Sequence, residues 1–551
     1  MKKNILSSAT VVMLLLCGQT FASPLVTSDV PLHSEHYKYI EKLEAMGFIT
    51  DMPTSYKPYS RLTIARMLAK VNPKGMPSYL KVYYDEMIRT YSDEIAFVIQ
   101  HEQLFNQKIV GSKKKQAKFH KEYYAHQHNS LVADKLELAK SEHFPCNVTL
   151  RDMSVEFSVQ NQDRRDYSYE RTNATYQPLH GQNQGYRYGD GFNSIGLFTI
   201  SGSVDNNLAL GLTPRFSYDK DAKGKISLAE GYAKTHIGNL SITAGKQALN
   251  WGAPSRSAAL SLSDNGPSHT YVKLGLLDPI KIEDGFFRFL GEINFQVFWS
   301  KLENNRKKQN YSFLAPDLES NNGNLVGMRL DITPNDTFTM GLQRIGMVSK
   351  FGKNWFWTTN DGVTDDNKDY GNDQAGLDWR WKFPGVQIYG AIYGEDGTFD
   401  IGTGFISNKS QYYGLYFPQL SKDGSWDLRI EHKKNSKAWY THGGCFSNGW
   451  TYHGDIMGDP MGNRATSQTV EINNYLSNGN FFSFRFLNMS QEKSIPDNQK
   501  IREYQVSYTH VLKENLHMDL SLGYADIKKA ERTKGKNEKA KYFAVGFKWN
   551  F

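Results

Sequence analysis

Cysteine is nearly absent: the 551-residue chain has three, at positions 17, 146 and 445. A disulfide-framed secreted fold is therefore excluded, and at most one bridge, Cys146 with Cys445, is open to the chain in an oxidising compartment. No stretch beyond the N-terminus approaches ~18 consecutive apolar residues, which excludes a membrane-spanning helix. Charge of one sign does not dominate either, with 65 Lys and Arg against 57 Asp and Glu for a formal +8. So mild an excess gives no argument for nucleic acid. It tolerates lipid phosphates or uronic-acid polysaccharides, although most chains with this balance are simply solvated. Catalytic signatures are missing as well: there is no His-Glu-x-x-His, no Gly-x-Ser-x-Gly and no P-loop. His269, His432, His442 and His453 stand at no spacing that singles one out. Glu395 and Asp396 after Gly394, or Asp455 with Asp459, could be paired carboxylates for glycosidic chemistry. Acidic turn residues that accept backbone N–H groups are the commoner use. Asp459-Pro460-Met461-Gly462 likewise reads as a tight turn rather than a metal site. The expectation is a protein that is not an enzyme and holds no metal or cofactor.

What is present starts with "MKKNILSSATVVMLLLCGQTFASP". Lys2 and Lys3, the apolar run Ile5 to Leu16 and the cleavage site Thr20-Phe21-Ala22 read as a secretory signal peptide over residues 1–22. Cys17 admits a lipoprotein reading, against which Leu16 is bulky where a small residue belongs. Residues 23–146 read as a small helical bundle. Ser34 is placed to cap a helix bearing Tyr37, Ile40 and Leu43 and stopped at Gly47, and Ser60 to cap one bearing Ile64 and Leu68. Leu80, Tyr84, Met87, Tyr91, Ile95 and Val98 then recur at steps of three and four, which predicts one long amphipathic helix. A basic stretch from Lys113 to Lys121 follows, read as a solvated linker with contact to lipid phosphate or glycan as the alternative.

From about Asn147 to Phe551 the period becomes 2. "VGMRLDI" sets Val326, Met328, Leu330 and Ile332 against Arg329 and Asp331. "LDWRWKF" sets Leu377, Trp379, Trp381 and Phe383 against Asp378, Arg380 and Lys382. "WDLRIE" sets Trp426, Leu428 and Ile430 against Asp427, Arg429 and Glu431. One such segment also fits a soluble sandwich. Many in succession, with aromatic-ended apolar faces and charges of both signs opposite, fit a closed membrane barrel instead. In lipid every backbone N–H and C=O must be paired inside the protein, and only a closed sheet does that with strands. Aromatics at 13% of the chain, beside a mean hydropathy of −0.57, agree. The charges are expected to pair across the lumen. Roughly 400 residues allow about 16 to 18 strands. The closing "YFAVGFKWNF" puts Phe551 at the end of the last strand, where outer-membrane assembly machinery typically reads a terminal aromatic.

Long polar insertions rich in Tyr, Trp, Asn, Asp and His separate the strands. Solvated loops and sugar-binding loops both fit that composition. Several stretches together resemble the capsule-assembly outer-membrane family of Wzi type. They are "GKQALNWGAPSRSAALSLSDNGP" with Trp251, Gly252, Pro254, Asp264 and Asn265, and "GNDQAGLDWRWKF" followed by "YGAIYGEDG" with Gly394, Glu395 and Asp396. "YTHGGCFSNGWTYHGDIMGDPMG" adds Gly458 and Asp459, and "YIEKLEAMGFI" with "YSRLTIARMLA" precedes them. Ala253 departs from the family's Trp-Gly-Pro turn. The resemblance implies a transmembrane antiparallel β-barrel of about 18 strands, preceded by a helical bundle that plugs its periplasmic side. It also implies a lectin-like role, attaching capsular polysaccharide to the surface of a diderm bacterium. The first helical pair is similar to one S-layer homology unit, where wall binding uses about three. Candidate glycan contacts are Tyr440, His442, Trp450, Tyr452 and His453; Trp251, Pro254, Asp264 and Asn265 are expected to shape the barrel. Expected partners are capsular polysaccharide, outer-membrane lipids and the barrel assembly machinery, with no nucleic acid and the chain monomeric. The rival reading is a porin or substrate-specific channel, since a barrel of this size can enclose water.

Overall fold

The computed structural model describes residues 25–50, 55–101, 132–133, 135–136, 139–141, 143–163, 167–168, 175–252, 258–303, 323–348, 371–395, 408–441, 446, 448–491 and 498–551. The signal segment, the basic stretch and Cys445 lie outside them, as do Pro254, Asp396 and His442. Eighteen strands form one closed antiparallel barrel. They are β1 Thr149–Gln160, β2 Gly191–Ser203, β3 Leu208–Asp219, β4 Lys223–Ile237, β5 Leu240–Gln247 and β6 His269–Leu276. Next come β7 Glu292–Lys301, β8 Asn324–Asn335, β9 Phe338–Val348, β10 Gly371–Phe383, β11 Val386–Glu395 and β12 Ser410–Phe417. The circuit ends with β13 Trp426–Asn435, β14 Ala465–Tyr475, β15 Phe481–Gln491, β16 Gln499–Lys513, β17 Leu516–Lys528 and β18 Asn537–Asn550. Each strand pairs with its sequence neighbours, and β18 pairs back onto β1, with Met153 opposite Trp549 and Val159 opposite Phe543. No strand edge is left over, so every ladder donor and acceptor has a partner strand.

The alternation seen in the sequence sorts by face. On β1, Phe157 and Val159 are exposed while Ser158 and Gln160 are buried; on β18, Phe543 is exposed and Ala544 buried. Leu212, Phe216, Val272, Trp299, Leu342 and Trp381 continue the exposed apolar wall around the barrel. A water-soluble monomer rarely tolerates so large an apolar surface. Hydrocarbon around the barrel removes the penalty. One end of the barrel has tight connections, such as Pro384-Gly385 and Glu514-Asn515, and the other carries the long insertions. Among the short-turn connections, 277–291 stands out. Its single 3-10 turn, Phe286–Leu290, holds Phe286, Phe287 and Phe289 exposed in mutual ring contact at 5.3 to 6.4 Å.

Four helices fill the short-turn end from inside: α1 His36–Ala45, α2 Arg61–Ala69, α3 Ser78–Thr90 and α4 Ser92–His101. Ser60 caps α2 as its position suggests, its hydroxyl accepting from Thr63 N at 3.1 Å. The cap of α1 is Glu35 rather than Ser34, although the Ser34 hydroxyl accepts from His36 N at 3.3 Å. The expected long helix is two. Tyr91, at φ −110° and ψ 16°, interrupts it. Arg61 holds both sides of the break, donating to the Thr90 carbonyl and, at 2.6 Å, to Glu94. Burial pushes the Glu94 carboxyl up, but the Arg61 guanidinium outweighs it and leaves it below its usual range. This tertiary clamp overrides a helical period that runs through the break unaltered.

Candidate functional site

The lumen has a packed half and a hollow half. In the packed half, Arg329 of β8 donates to Asp331 at 2.8 and 3.0 Å, to Gln343 at 2.8 Å and to Asp378 of β10 at 2.8 and 3.0 Å. Tyr393 completes the shell of Asp378 at 2.8 Å. Arg380, Lys382, Arg429 and Asp427 meet the plug, whereas Glu431 is held by the wall. Arg380 and Lys382 reach Glu44 at 3.4 and 3.1 Å, and Arg429 reaches Glu41 at 3.2 Å. Asp427 accepts from Tyr416 at 2.9 Å and faces Lys42 at 3.4 Å. Glu431 accepts from Tyr389 and Tyr412 at 2.9 and 3.0 Å. The reason is reach. A plug helix inside the barrel brings an opposite charge closer than the far wall can, and a buried charge stays only where it is paired.

Two insertions from the long-loop end fold down into this half as a cap. Asn250 pairs with Lys57 and Trp251 with Tyr56 of the plug, so the cap touches the plug directly. Gly252 donates to the Ser55 carbonyl at 3.0 Å. Tyr440 is the cap's keystone. Its amide donates to Glu395 at 2.7 Å, its hydroxyl donates to the Leu260 carbonyl, and that hydroxyl accepts from Asp459 N at 2.6 Å. Glu395, beside the buried Gly394 at the end of β11, also accepts from Asn372 and Gln374 at 3.0 and 3.1 Å. Asp459 accepts from Met461 N at 2.9 Å and pairs with Lys433. Asn265 donates to the Ile456 carbonyl at 2.9 Å, stitching the two insertions together. A methyl at Gly458 would collide with the Leu260 carbonyl and the Tyr440 hydroxyl, so only glycine fits there.

This geometry revises the candidate glycan contacts. Tyr440 and Trp450 are fully buried and pack among Trp251, Leu260, Trp439 and Met457 in the cap's own core. Neither offers a ring face to the outside. Tyr452 is also largely buried, stacked on His269 at 4.3 Å, while His453 is exposed at the rim. Its amide donates to Glu303 at 3.1 Å, and Arg187 donates to its carbonyl at 2.8 Å.

The hollow half is roofed by residues 177–190, a stretch that composition singled out without separating its residues. Gln184 and Gly185 donate to the carbonyls of Asp264 and Asn265 at 2.7 and 3.1 Å. Tyr188 and Tyr542 donate to Glu156 at 3.1 and 3.0 Å. Between this roof and the plug lies a cavity of about 510 Å³. Burial pushes the carboxyl of Asp264, on its wall, up to about 6, against the opposing pull of Lys57 and His33.

A closed antiparallel barrel with an apolar outer wall, a helical plug and a folded cap defines an integral membrane protein of the outer-membrane type. Over residues 160–541 the sequence matches the family model described as capsule assembly protein Wzi, and the chain belongs to that family. No curated protein sequence matches it. The solved structure of Wzi from Escherichia coli aligns with a TM-score of 0.61 at 15% identity, over 95% of this chain and 99% of that one. That protein is described as an outer membrane protein involved in group 1 capsule assembly and a carbohydrate-binding β-barrel. OprD of Pseudomonas aeruginosa aligns more loosely, with a TM-score of 0.41 at 11% identity, over 74% of this chain and 95% of that one.

Proposed function

We propose that this protein attaches capsular polysaccharide to the bacterial surface as a monomeric, non-catalytic lectin of the outer membrane. The long insertions then face outward and the short turns and plug face the periplasm, the usual disposition of such barrels. Lipid covers the apolar wall. The observation that carries this reading over a channel is that the lumen is obstructed from both ends by fixed structure: the plug through Glu41 and Glu44, the cap through Tyr440 and Asp459. An obstructed barrel is a rigid stand for loops rather than a route for solutes. His453 and Arg187 at the cap's rim are the exposed groups that a surface glycan meets first.

Deleting the gene tests it. Polymer synthesis is expected to continue while capsule is shed into the medium; unchanged cell-bound capsule would sink the reading. Purified protein in a planar bilayer is expected to show negligible conductance, and a robust ion-selective step current would restore the porin alternative.

A further inference from the structure

The barrel wall is strongly asymmetric. The packed half carries Tyr389, Tyr393, Tyr412, Tyr416 and Arg329 inward, whereas β15 to β18 present Ser483, Ser507, Ser521, Ala544 and Gly546. Nothing in the packing demands such small groups. A Cβ on Gly546 would find only ordinary contacts, at 3.6 Å or more, with Asp519 and the Val155 carbonyl. The resulting cavity, about 510 Å³, is within the ~300–1,000 Å³ common to ligand sites.

Its lining is chemically mixed. Arg215, Arg485 and Lys548 alternate with Glu156, Glu471 and Asp519, and Asn183, Gln505 and the serine hydroxyls lie between. A simple anion or cation would be repelled by half of this wall. A polyol would not, because each of its hydroxyls both donates and accepts. Three polar atoms of lining residues are also buried without a hydrogen-bond partner among the described residues: Asn183 Oδ1, Arg485 Nε and His33 Nδ1. Asn183 belongs to the roof, Arg485 to β15 and His33 to the segment before α1, so the cavity is ringed by residues whose polar groups the protein's own contacts leave partly unsatisfied. The neighbouring cations are already engaged. Arg215 donates to Gln184, and Lys548 sits 2.9 Å from both Glu35 and Asp519.

From this we propose that the hollow half of the lumen is a saccharide subsite that takes a short oligosaccharide segment, with Arg485 and Asn183 as its hydrogen-bonding contacts. The proposal rests on the polysaccharide-attachment reading and adds to it where the chain of sugars is gripped: beneath the roof of residues 177–190, inside the barrel, rather than at the rim.

The test uses full-length protein refolded in detergent, its barrel verified by heat-modifiable mobility. Titration calorimetry measures two- to four-residue fragments prepared from the cell's own capsular polysaccharide, and the intact polymer in parallel. Wild-type protein is expected to bind both. Ser507→Trp, which fills the cavity, is expected to weaken fragment binding at least tenfold, and Arg485→Gln about fivefold. Lys422→Ala, exposed in the short connection between β12 and β13, is expected to leave fragment binding unchanged. If the filled and Arg485 variants bind fragments as the wild type does, the lumenal subsite is overturned while surface attachment stands. If wild-type protein binds neither fragments nor polymer, both fall. Should Ser507→Trp fail to fold, Arg485→Gln decides alone.

Discussion

Tyr440 holds its backbone at φ 66°, a left-handed conformation that costs a bulky residue free energy and persists only where surroundings enforce it. Here they do: its hydroxyl and amide tie together Leu260, Asp459 and Glu395. Gly458→Ala drives a methyl into that knot and is expected to destabilise the cap by about 1–3 kcal/mol. Limited proteolysis would show it as new cleavage within the 436–464 insertion while the barrel stays intact. At Arg329 the stakes are larger. Arg329→Met leaves Asp331 and Asp378 buried without their cation, a loss of about 3–5 kcal/mol that should lower the temperature of the heat-modifiable transition. Asp264 makes the cap pH-sensitive. Its folded pKa of about 6 lies above the ordinary carboxylate value, so its stabilising contribution is complete in acid and is lost as pH rises through about 6. Cap proteolysis is therefore expected to quicken between roughly pH 4 and 6, and Asp264→Asn to flatten that step.

Elements divide by whether neighbours or distant residues set their ends. The Ser60 cap and the stop after α1 are local: Gly47 takes φ 81° and Phe48 N bonds the Leu43 carbonyl at 2.9 Å. Both are legible in a few consecutive residues. The break at Tyr91 is not, because Arg61 imposes it from another helix. At the opposite extreme is the 3-10 turn with Phe286, Phe287 and Phe289, whose three rings are exposed. Aromatic side chains are enriched at the edge of a membrane's hydrocarbon. Phe287→Trp should emit with strong quenching by brominated lipid in proteoliposomes and little by aqueous acrylamide. The reverse pattern would detach this turn from the bilayer.

On the scale of the whole molecule, the plug is held in the barrel by charges that each half buries against the other. Glu41→Gln with Glu44→Gln removes the partners of Arg429, Arg380 and Lys382 and is expected to loosen the plug, seen as flickering conductance in a planar bilayer where wild type gives none.

Period-2 patterning, aromatic outer faces and the Ser60 helix cap were determined by the sequence alone, since each depends on residues within a few positions of one another. They were enough for a closed barrel of about 16 to 18 strands behind a helical bundle. Which way a loop turns was decided only in three dimensions. Tyr440 bonds a carbonyl 180 residues away, and Arg380 meets Glu44 across 336. An aromatic-rich loop has the same composition whether it folds outward to meet a sugar or inward to cap a lumen. The hollow half was equally hidden, because a serine or glycine every second residue looks like any weak strand until the opposite wall shows how much space it leaves.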